Sequence, residues 1–224
     1  LDNAEPFGAA ETLLGRVLAE SPKLRDRMVL ATKGGIVPGT PYDSSTGHIG
    51  RAIDASLARL GVDRVDLWQI HRPDILTHPQ EAARALEDAH RQGKIGAVGV
   101  SNYQIRQIEA LDAFLTVPLA STQPEFSPFA LAPLESGELD LAMRLDLAVL
   151  AWSPLGGGRI ANPAPGRETH VVAALDDVAE RFGVSRGAAA YAWIMAHPAR
   201  IVPIVGSQQP DRIAEAADAY KVIW

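Results

Sequence analysis

Short apolar runs alternate along this chain with longer stretches in which hydrophobic residues have helical spacing. The short runs predict strands, and several are rich in Val and Ile, as is typical of strands buried on both faces. They cover Met28–Thr32, Val65–Ile70, Ile95–Val100, Leu119–Thr122, Leu147–Ala151 and Ile201–Val205. Leu1-Asp2-Asn3-Ala4 is interpreted as the end of a seventh strand. In Val65–Ile70 the two-residue period places Gln69 and His71 on one face and Trp68 and Ile70 on the other.

Helices are predicted between these runs. Ile49, Ile53, Leu57 and Leu60 share one helical face behind the capping candidates Ser44, Ser45 and Thr46. A helix opens at His78-Pro79 and stops at Gly93, because Pro suits a first turn and Gly a C-terminus. The remaining helical patterns cover Ile105–Leu115, Ala173–Phe182, Ala188–Met195 and Pro210–Ala219.

Strictly alternating strands and helices indicate a parallel sheet, either open or closed into a barrel. No G-x-G-x-x-G motif follows a first strand, which removes the main sign of an open dinucleotide-binding sheet. Polar groups end most strands, and in a (β/α)8 barrel all such ends lie on the face that carries the active site. These groups are Lys33, His71, Ser101-Asn102, Gln123, Trp152-Ser153 and Gly206-Ser207. We therefore predict an α/β fold, a parallel (β/α)8 TIM-type barrel forming one domain over residues 1–224.

Strand counting predicts that this barrel is incomplete. Eight strands typically need ~250 residues, and the chain has 224. The expectation is that the first βα unit and the C-terminal tail are lacking. Gly156-Gly157-Gly158 by itself predicts only a flexible loop.

Composition narrows the function classes. The chain is 47% hydrophobic and contains no cysteine, so a thiolate metal site is excluded and no metal site is predicted. The formal net charge of −6 disfavours nucleic acid as a partner. No apolar stretch reaches the ~18–20 residues of a membrane span, and no signal peptide opens the chain. We expect a cytoplasmic protein whose partner is a small molecule; its oligomeric state is left open.

Several segments, taken in order, resemble the aldo-keto reductase family from Asp2 to Ala216. They are Asp2–Gly8, Thr32-Lys33, Leu67–His71, Gly99–Asn102, Trp152–Gly156 and Gly206–Arg212. The resemblance implies a (β/α)8 barrel that binds NADP(H) without a Rossmann motif and reduces an aldehyde or ketone to an alcohol. It implies no substrate identity.

The family's catalytic Asp, Lys and His match Asp2, Lys33 and His71, but the position of its catalytic Tyr is Phe7. In the family pattern, the Lys lowers the pKa of the Tyr so that the phenol can protonate the alkoxide formed by hydride transfer. Phenylalanine has no proton to give, so the resemblance predicts a reductase of reduced activity. Tyr42, Tyr103 and His71 are the candidate replacement proton donors.

The resemblance also implies the cofactor-binding residues. Ser101, Asn102 and Gln123 match positions that bind the nicotinamide carboxamide, and Trp152 the aromatic that stacks on its ring. Ser153, Leu155 and Gly156 match the pyrophosphate positions. Gly206, Ser207, Gln209 and Arg212 match the adenosine end, with Glu215 and Ala216 at adenine-contacting positions. Arg212 favours NADP(H) over NAD(H), because a guanidinium binds phosphate bidentately.

Two other functions stay open on the sequence alone. A catalytically inactive aldo-keto-reductase-like binding or regulatory protein, or a truncated fragment, would agree with Phe7. A different (β/α)8 enzyme could use Lys33 as a Schiff-base amine, although this leaves the cofactor-type residues unexplained. Each site residue also has a simpler interpretation: Lys33 before Gly34-Gly35 as a surface turn lysine, and Arg212 as a solvated charge.

Overall fold

A computed structural model describes residues 1–5, 8–37 and 42–224. The chain divides into two compact units, Leu1–Thr122 and Gln123–Trp224, which are described in turn. In the first unit the helices are α1 (Gly8–Glu20), α2 (Thr46–Leu60), α3 (Pro79–Arg91) and α4 (Ile105–Asp112), with a 3-10 helix at Pro22–Arg27. Its strands are β1 (Ala31–Gly34), β2 (Val65–Ile70), β3 (Ile95–Ser101) and β4 (Leu119–Gln123), whose last residue begins the second unit.

The strands of the first unit follow one another in chain order across the sheet, β1-β2-β3-β4. β1 pairs with β2 in parallel, with Lys33 opposite Gln69, and β2 pairs with β3 in parallel, with Gln69 opposite Gly99. Each strand is followed by a helix that returns the chain to the start of the next strand, as parallel pairing requires. The predicted alternation of strands and helices is confirmed here.

Residues 1–3 lie alongside β1, as predicted for the end of a further strand. Asp2 forms a parallel bridge with Ala31. The amide of Asn3 donates to the carbonyl of Ala31 at 3.0 Å, and the amide of Ala31 donates to the carbonyl of Leu1 at 2.8 Å. This pairing fixes the backbone that carries Asp2.

Helix α1 was absent from the prediction, and its buried face explains why. That face includes a carboxylate, Glu11, which is 0% exposed, while the apolar residues Leu13 and Val17 are exposed. The apolar period is therefore broken. Glu11 accepts hydrogen bonds from Thr32 of β1 at 2.5 Å and from Arg59 of α2 at 2.6 Å, which satisfies a charge that would otherwise be costly to bury.

The predicted ends of α2 and α3 are confirmed by their capping geometry. Ser45 caps α2 by accepting a hydrogen bond from the amide of His48 at 3.3 Å. His78 caps α3 through its ring, with Pro79 in the first turn. Gly93, just beyond α3, adopts a φ of 75°, which favours glycine.

Gly99 lets two polar side chains meet across β3. Gln69 donates through Nε2 to Ser121 Oγ at 3.2 Å and to the carbonyl of Val100 at 3.2 Å. A Cβ at Gly99 would lie 2.1 Å from Ser121 Oγ and 3.0 Å from Gln69 Cγ. The hydrogen bond between Gln69 of β2 and Ser121 of β4 therefore requires a residue without a side chain at position 99 of β3.

The second unit begins with the last residue of β4. Its helices are α5 (Ala132–Ser136), α6 (Glu138–Arg144), α7 (Arg167–Phe182), α8 (Arg186–Met195) and α9 (Pro210–Glu215), with 3-10 helices at Gly156–Gly158 and Ala216–Lys221. Its further strands are β5 (Ala148–Ala151) and β6 (Val202–Pro203), which pair in parallel. Phe129, Leu175 and Ala189 belong to a buried apolar cluster between α7 and α8.

Several predicted boundaries differ from those observed, and backbone hydrogen bonding gives the reason. β1 begins at Ala31 rather than Met28, because the amide of Leu30 donates to the carboxylate of Asp66 at 2.7 Å instead of to a neighbouring strand. β6 is confined to Val202–Pro203 rather than Ile201–Val205, because its partner β5 ends at Ala151, which lies opposite Pro203. The helix predicted over Pro210–Ala219 changes to a 3-10 helix at Ala216.

Candidate functional site

Lys33 is a buried cation and not a surface turn lysine. It is 4% exposed on β1, and its Nζ lies 2.5 Å from Asp2 Oδ2 and donates to the carbonyl of Asn3 at 2.9 Å. Burial lowers the pKa of Lys33, and the carboxylate of Asp2 opposes that shift. The pairing of residues 1–3 with β1 thus delivers the counter-ion that stabilises this buried charge.

His71 follows the last residue of β2, where its amide donates to the carbonyl of Gly34 at 2.9 Å. Burial, together with the positive charges of Lys33 and Arg72, lowers the pKa of His71 to about 4. The imidazole is therefore neutral at pH 7 and has one N–H donor and one acceptor nitrogen. It suits hydrogen bonding to a carbonyl oxygen better than supplying a proton as an imidazolium.

Asn102 ties the end of β3 to the end of β2. Its Nδ2 donates to the carbonyl of His71 at 3.1 Å and to Ser101 Oγ at 2.9 Å. Its backbone φ is 59°, in the left-handed region. Non-glycine residues held in that region cluster at functional sites, where the surrounding structure maintains them. The structure therefore brings Ser101, Asn102 and His71 into one hydrogen-bonded group.

The tyrosines considered as replacement proton donors differ in their surroundings. Tyr103 is 8% exposed, and burial raises its pKa, with the charge of Asp74 acting in the same direction. This makes its phenol a weaker acid than a free tyrosine. Tyr42 is 40% exposed. Phe7, on which the prediction of reduced activity depends, lies outside the described residues.

In the second unit, two predicted cofactor residues follow β5. Trp152 forms a parallel bridge with Glu125, next to the end of β4, and its amide donates to the carbonyl of Pro124 at 3.0 Å. Ser153 has a φ of 49°. Gln123, the last residue of β4, is 2% exposed. As with Asn102, a residue with left-handed backbone lies within two positions of a strand end.

A cavity of about 670 Å³ lies within the second unit. This volume falls in the range of small-molecule sites. Six of the predicted cofactor residues line it: Ser153, Leu155, Gly206, Ser207, Arg212 and Ala216. Trp152, Gly156 and Gln209 are not among its lining residues. Gly156 is instead required by packing, because a Cβ there would lie 2.6 Å from the ring of Phe129.

The sequence prediction missed the wall of the cavity that the start of α8 and its capping residue contribute. Ser185, Arg186, Gly187, Ala188 and Tyr191 line the cavity. The predicted helix began at Ala188, whereas Ser185 caps α8 by accepting from the amide of Ala188 at 3.1 Å. The capping pattern Ser185-Arg186 was the available signal for an earlier start.

The cavity combines positively charged side chains with glycines at which an anion could approach the protein backbone. Its lining includes the guanidinium of Arg212, that of Arg186, whose charge is paired with Asp176, and one carboxylate, from Glu215. A Cβ added at Gly157, Gly158 or Gly206 would meet no atom within 4 Å. These exposed glycines leave open space, which would let the pyrophosphate of a dinucleotide approach the backbone closely.

The described residues offer neither a metal site nor a membrane-spanning helix. Within the described ranges, no cluster of three or more His, Cys, Asp and Glu side chains has the arrangement to hold a metal ion. In the same residues no helix combines the length and apolarity needed to cross a bilayer.

Comparison with known proteins places these features in a family. The chain is 60% identical to a 6-dehydroglucose reductase of Novosphingobium aromaticivorans, over 100% of this chain and 73% of that protein. It is 38% identical to a 6-dehydroglucose reductase of Agrobacterium fabrum, over 99% of this chain and 77% of that protein. A crystal structure of a thermostable aldo-keto reductase with the inhibitor epalrestat superposes with a TM-score of 0.87 at 24% identity, covering 100% of this chain and 77% of that one.

The structural likeness shows the fold, which is the TIM-barrel type found in that reductase. The sequence profile of the aldo/keto reductase family matches residues 1–223, nearly the whole chain. The expected family resemblance is therefore confirmed, and with it the oxidoreductase class. This chain belongs to the aldo/keto reductase family.

Proposed function

We propose that this protein is an NADPH-dependent reductase that converts the carbonyl group of a small sugar-derived aldehyde or ketone to an alcohol. The substrate class is taken from the relative at 60% identity, which is a 6-dehydroglucose reductase. The observation that carries the proposal is the buried Lys33–Asp2 ion pair beside His71. A buried cation at a strand end is costly, and it is used where negative charge develops on a substrate oxygen.

The residues of the first unit would orient and polarise the carbonyl. The neutral imidazole of His71 donates a hydrogen bond to the substrate oxygen. Lys33 favours the negative charge that develops there, and Asp2 keeps Lys33 protonated and in position. The side chain of Asn102 donates to the backbone carbonyl of His71 and so holds the backbone of His71 in place. NADPH, when bound, would supply the hydride, and a water molecule held by His71 would supply the proton that completes the alcohol.

The cavity of the second unit would bind the nucleotide. Its open glycines leave room for the pyrophosphate, and Ser207 and Arg212 provide donors for the ribose phosphate. Ser101, Asn102, Gln123 and Trp152 retain the nicotinamide roles predicted from the resemblance. The roles of Ser207 and Arg212 are supported by their place in the cavity lining, and the nicotinamide roles rest on the resemblance alone.

The direct test is NADPH oxidation in the presence of 6-dehydroglucose, followed by absorbance. We expect turnover that is lost in Lys33→Met. The matched control is Lys94→Met, which removes a lysine from an exposed ion pair with Asp54 and leaves turnover unchanged. The proposal fails if folded wild-type protein shows no binding of NADPH in a fluorescence titration.

Phe7 favours one alternative, a family member that binds the nucleotide without turning over a carbonyl substrate. Loss of general acid catalysis typically costs 10²–10⁴-fold in rate, so Phe7→Tyr is the discriminating variant. If Phe7 occupies the proton-donor position, Phe7→Tyr raises the rate by roughly 100-fold or more. Nucleotide binding with no turnover in either protein would favour the binding-protein alternative.

A further inference from the structure

The segment Gly156–Ala161, here named the glycine strap, forms part of the cavity wall. Gly157, Gly158, Ile160 and Ala161 line the cavity. Three consecutive glycines of the strap have φ values of 67°, 62° and 97°. Consecutive glycines have high conformational freedom. Backbone bonds within the strap, such as that from the amide of Ala161 to the carbonyl of Gly158 at 3.0 Å, hold part of its shape, and contacts from outside the strap add to them.

Arg186 makes one such contact. Its Nη1 donates to the carbonyl of Ile160 at 2.9 Å, near the end of the glycine strap. At the other end, Arg159 donates through Nε to the carbonyl of Gly156 at 3.0 Å. The Arg186 bond ties the strap to the first residue of α8, an element outside the strap.

Asp176 of α7 fixes the orientation of Arg186. The guanidinium donates through Nε to Oδ1 at 2.6 Å and through Nη2 to Oδ2 at 2.7 Å. This two-point contact holds the planar group in one orientation. Both side chains are more than a third exposed, and exposed ion pairs add little to folding stability. The pair is therefore better explained by geometry than by stabilisation of the fold.

We propose that Arg186, oriented by Asp176, is a positioning residue that holds the glycine strap in the conformation that binds the nucleotide. This inference rests on the proposed function of the cavity. Positioning by a neutral carbonyl contact acts on the pyrophosphate region of the cavity, which NADPH and NADH share. Loss of Arg186 should therefore weaken both nucleotides by the same factor, chiefly through faster dissociation.

The test measures Kd and dissociation rate for NADPH and NADH by fluorescence in wild type, Arg186→Met and Asp176→Asn. We expect Arg186→Met to raise both Kd values about 10-fold, the size expected for one charge-assisted hydrogen bond, with a smaller rise in Asp176→Asn. The matched control is Arg200→Met, which breaks an exposed Arg–Asp pair with Asp146 away from the cavity lining. It should leave both Kd values unchanged.

Three results separate the possibilities. If wild type binds neither nucleotide, the proposed function fails and the inference falls with it. If wild type binds and both Arg186→Met and Asp176→Asn bind equally well, only the positioning role is overturned. A selective loss of NADPH binding also overturns it, because that result assigns Arg186 to direct contact with the 2′-phosphate. Thermal unfolding without nucleotide identifies a variant that has lost its fold, and Asp176→Asn then decides the question.

Discussion

Asp2 and Lys33 form an ion pair of 2.5 Å between a chain segment at residues 1–3 and strand β1. The side chain of Lys33 is 5% exposed and that of Asp2 is 19% exposed. The pair therefore couples a catalytic candidate to the pairing of the first residues of the chain. Removing either partner leaves the other charge buried.

The first prediction concerns the stability of this pair. Breaking a buried ion pair by removing one partner typically destabilises a protein by about 3–5 kcal/mol. Because Asp2 keeps some solvent contact, we expect Asp2→Asn to lower the free energy of unfolding by about 3 kcal/mol, measured by urea denaturation. Asp54→Asn breaks the exposed pair with Lys94 and should cost less than about 1 kcal/mol. Equal effects of the two substitutions would contradict the burial of the Lys33 charge.

The second prediction concerns the pH dependence of stability. The pKa of His71 is about 4 in the folded protein, against an ordinary value of 6.5. Between these values the unfolded chain binds a proton at this histidine that the folded protein does not, so acid favours unfolding. The contribution of His71 to the free energy of unfolding thus falls as the pH falls from 6.5 to 4.

His71→Gln removes this contribution. We expect the urea midpoint to fall less between pH 7.5 and 4.5 in His71→Gln than in wild type. The control His90→Gln replaces an exposed histidine of α3 and should keep the wild-type pH dependence. An unaltered pH dependence in His71→Gln would mean that His71 titrates as a free histidine.

The third prediction concerns the choice of nucleotide. If Arg212 binds the 2′-phosphate, Arg212→Ala removes a charge-assisted contact that NADH does not make. The Kd for NADPH should then rise ~10–100-fold while that for NADH changes little. Lys221→Ala removes another exposed cation of the same unit, paired with Asp218, and serves as the control. A parallel rise in both Kd values would remove Arg212 from the phosphate site.

The fourth prediction concerns the layer of side chains around Gly99. Gly99→Ala places a Cβ 2.1 Å from Ser121 Oγ, so we expect a loss of about 1–3 kcal/mol in the free energy of unfolding. Adding Ser121→Ala removes that oxygen and should recover part of the loss. Gly50→Ala in α2, where a Cβ meets no atom within 4 Å, should instead stabilise by about 0.5–1 kcal/mol. If the double variant is no more stable than Gly99→Ala, the backbone of Ser121 and not its hydroxyl is what the added Cβ meets.

The sequence predicted most strands and helices of both units because their apolar positions follow regular periods. It failed at α1, where Glu11 takes a buried position through contacts with Thr32 and Arg59 that are distant in the chain. It also could not predict the low pKa of His71, which arises from burial and from the charge of Lys33. The contacts of Arg186 could not be predicted either, because only the folded chain brings Ile160 and Asp176 to its guanidinium.

The division of the chain at residue 122 has a consequence for how this protein can be altered. Asp2, Lys33 and His71 belong to the first unit, and every residue that lines the cavity proposed to bind the nucleotide belongs to the second. If the proposed function holds, mutational libraries confined to residues 123–224 should change the preference for NADPH or NADH and the nucleotide's residence time, while Asp2, Lys33 and His71 stay unchanged. Nucleotide preference and activity on the carbonyl substrate can then be selected in separate, successive rounds of mutation.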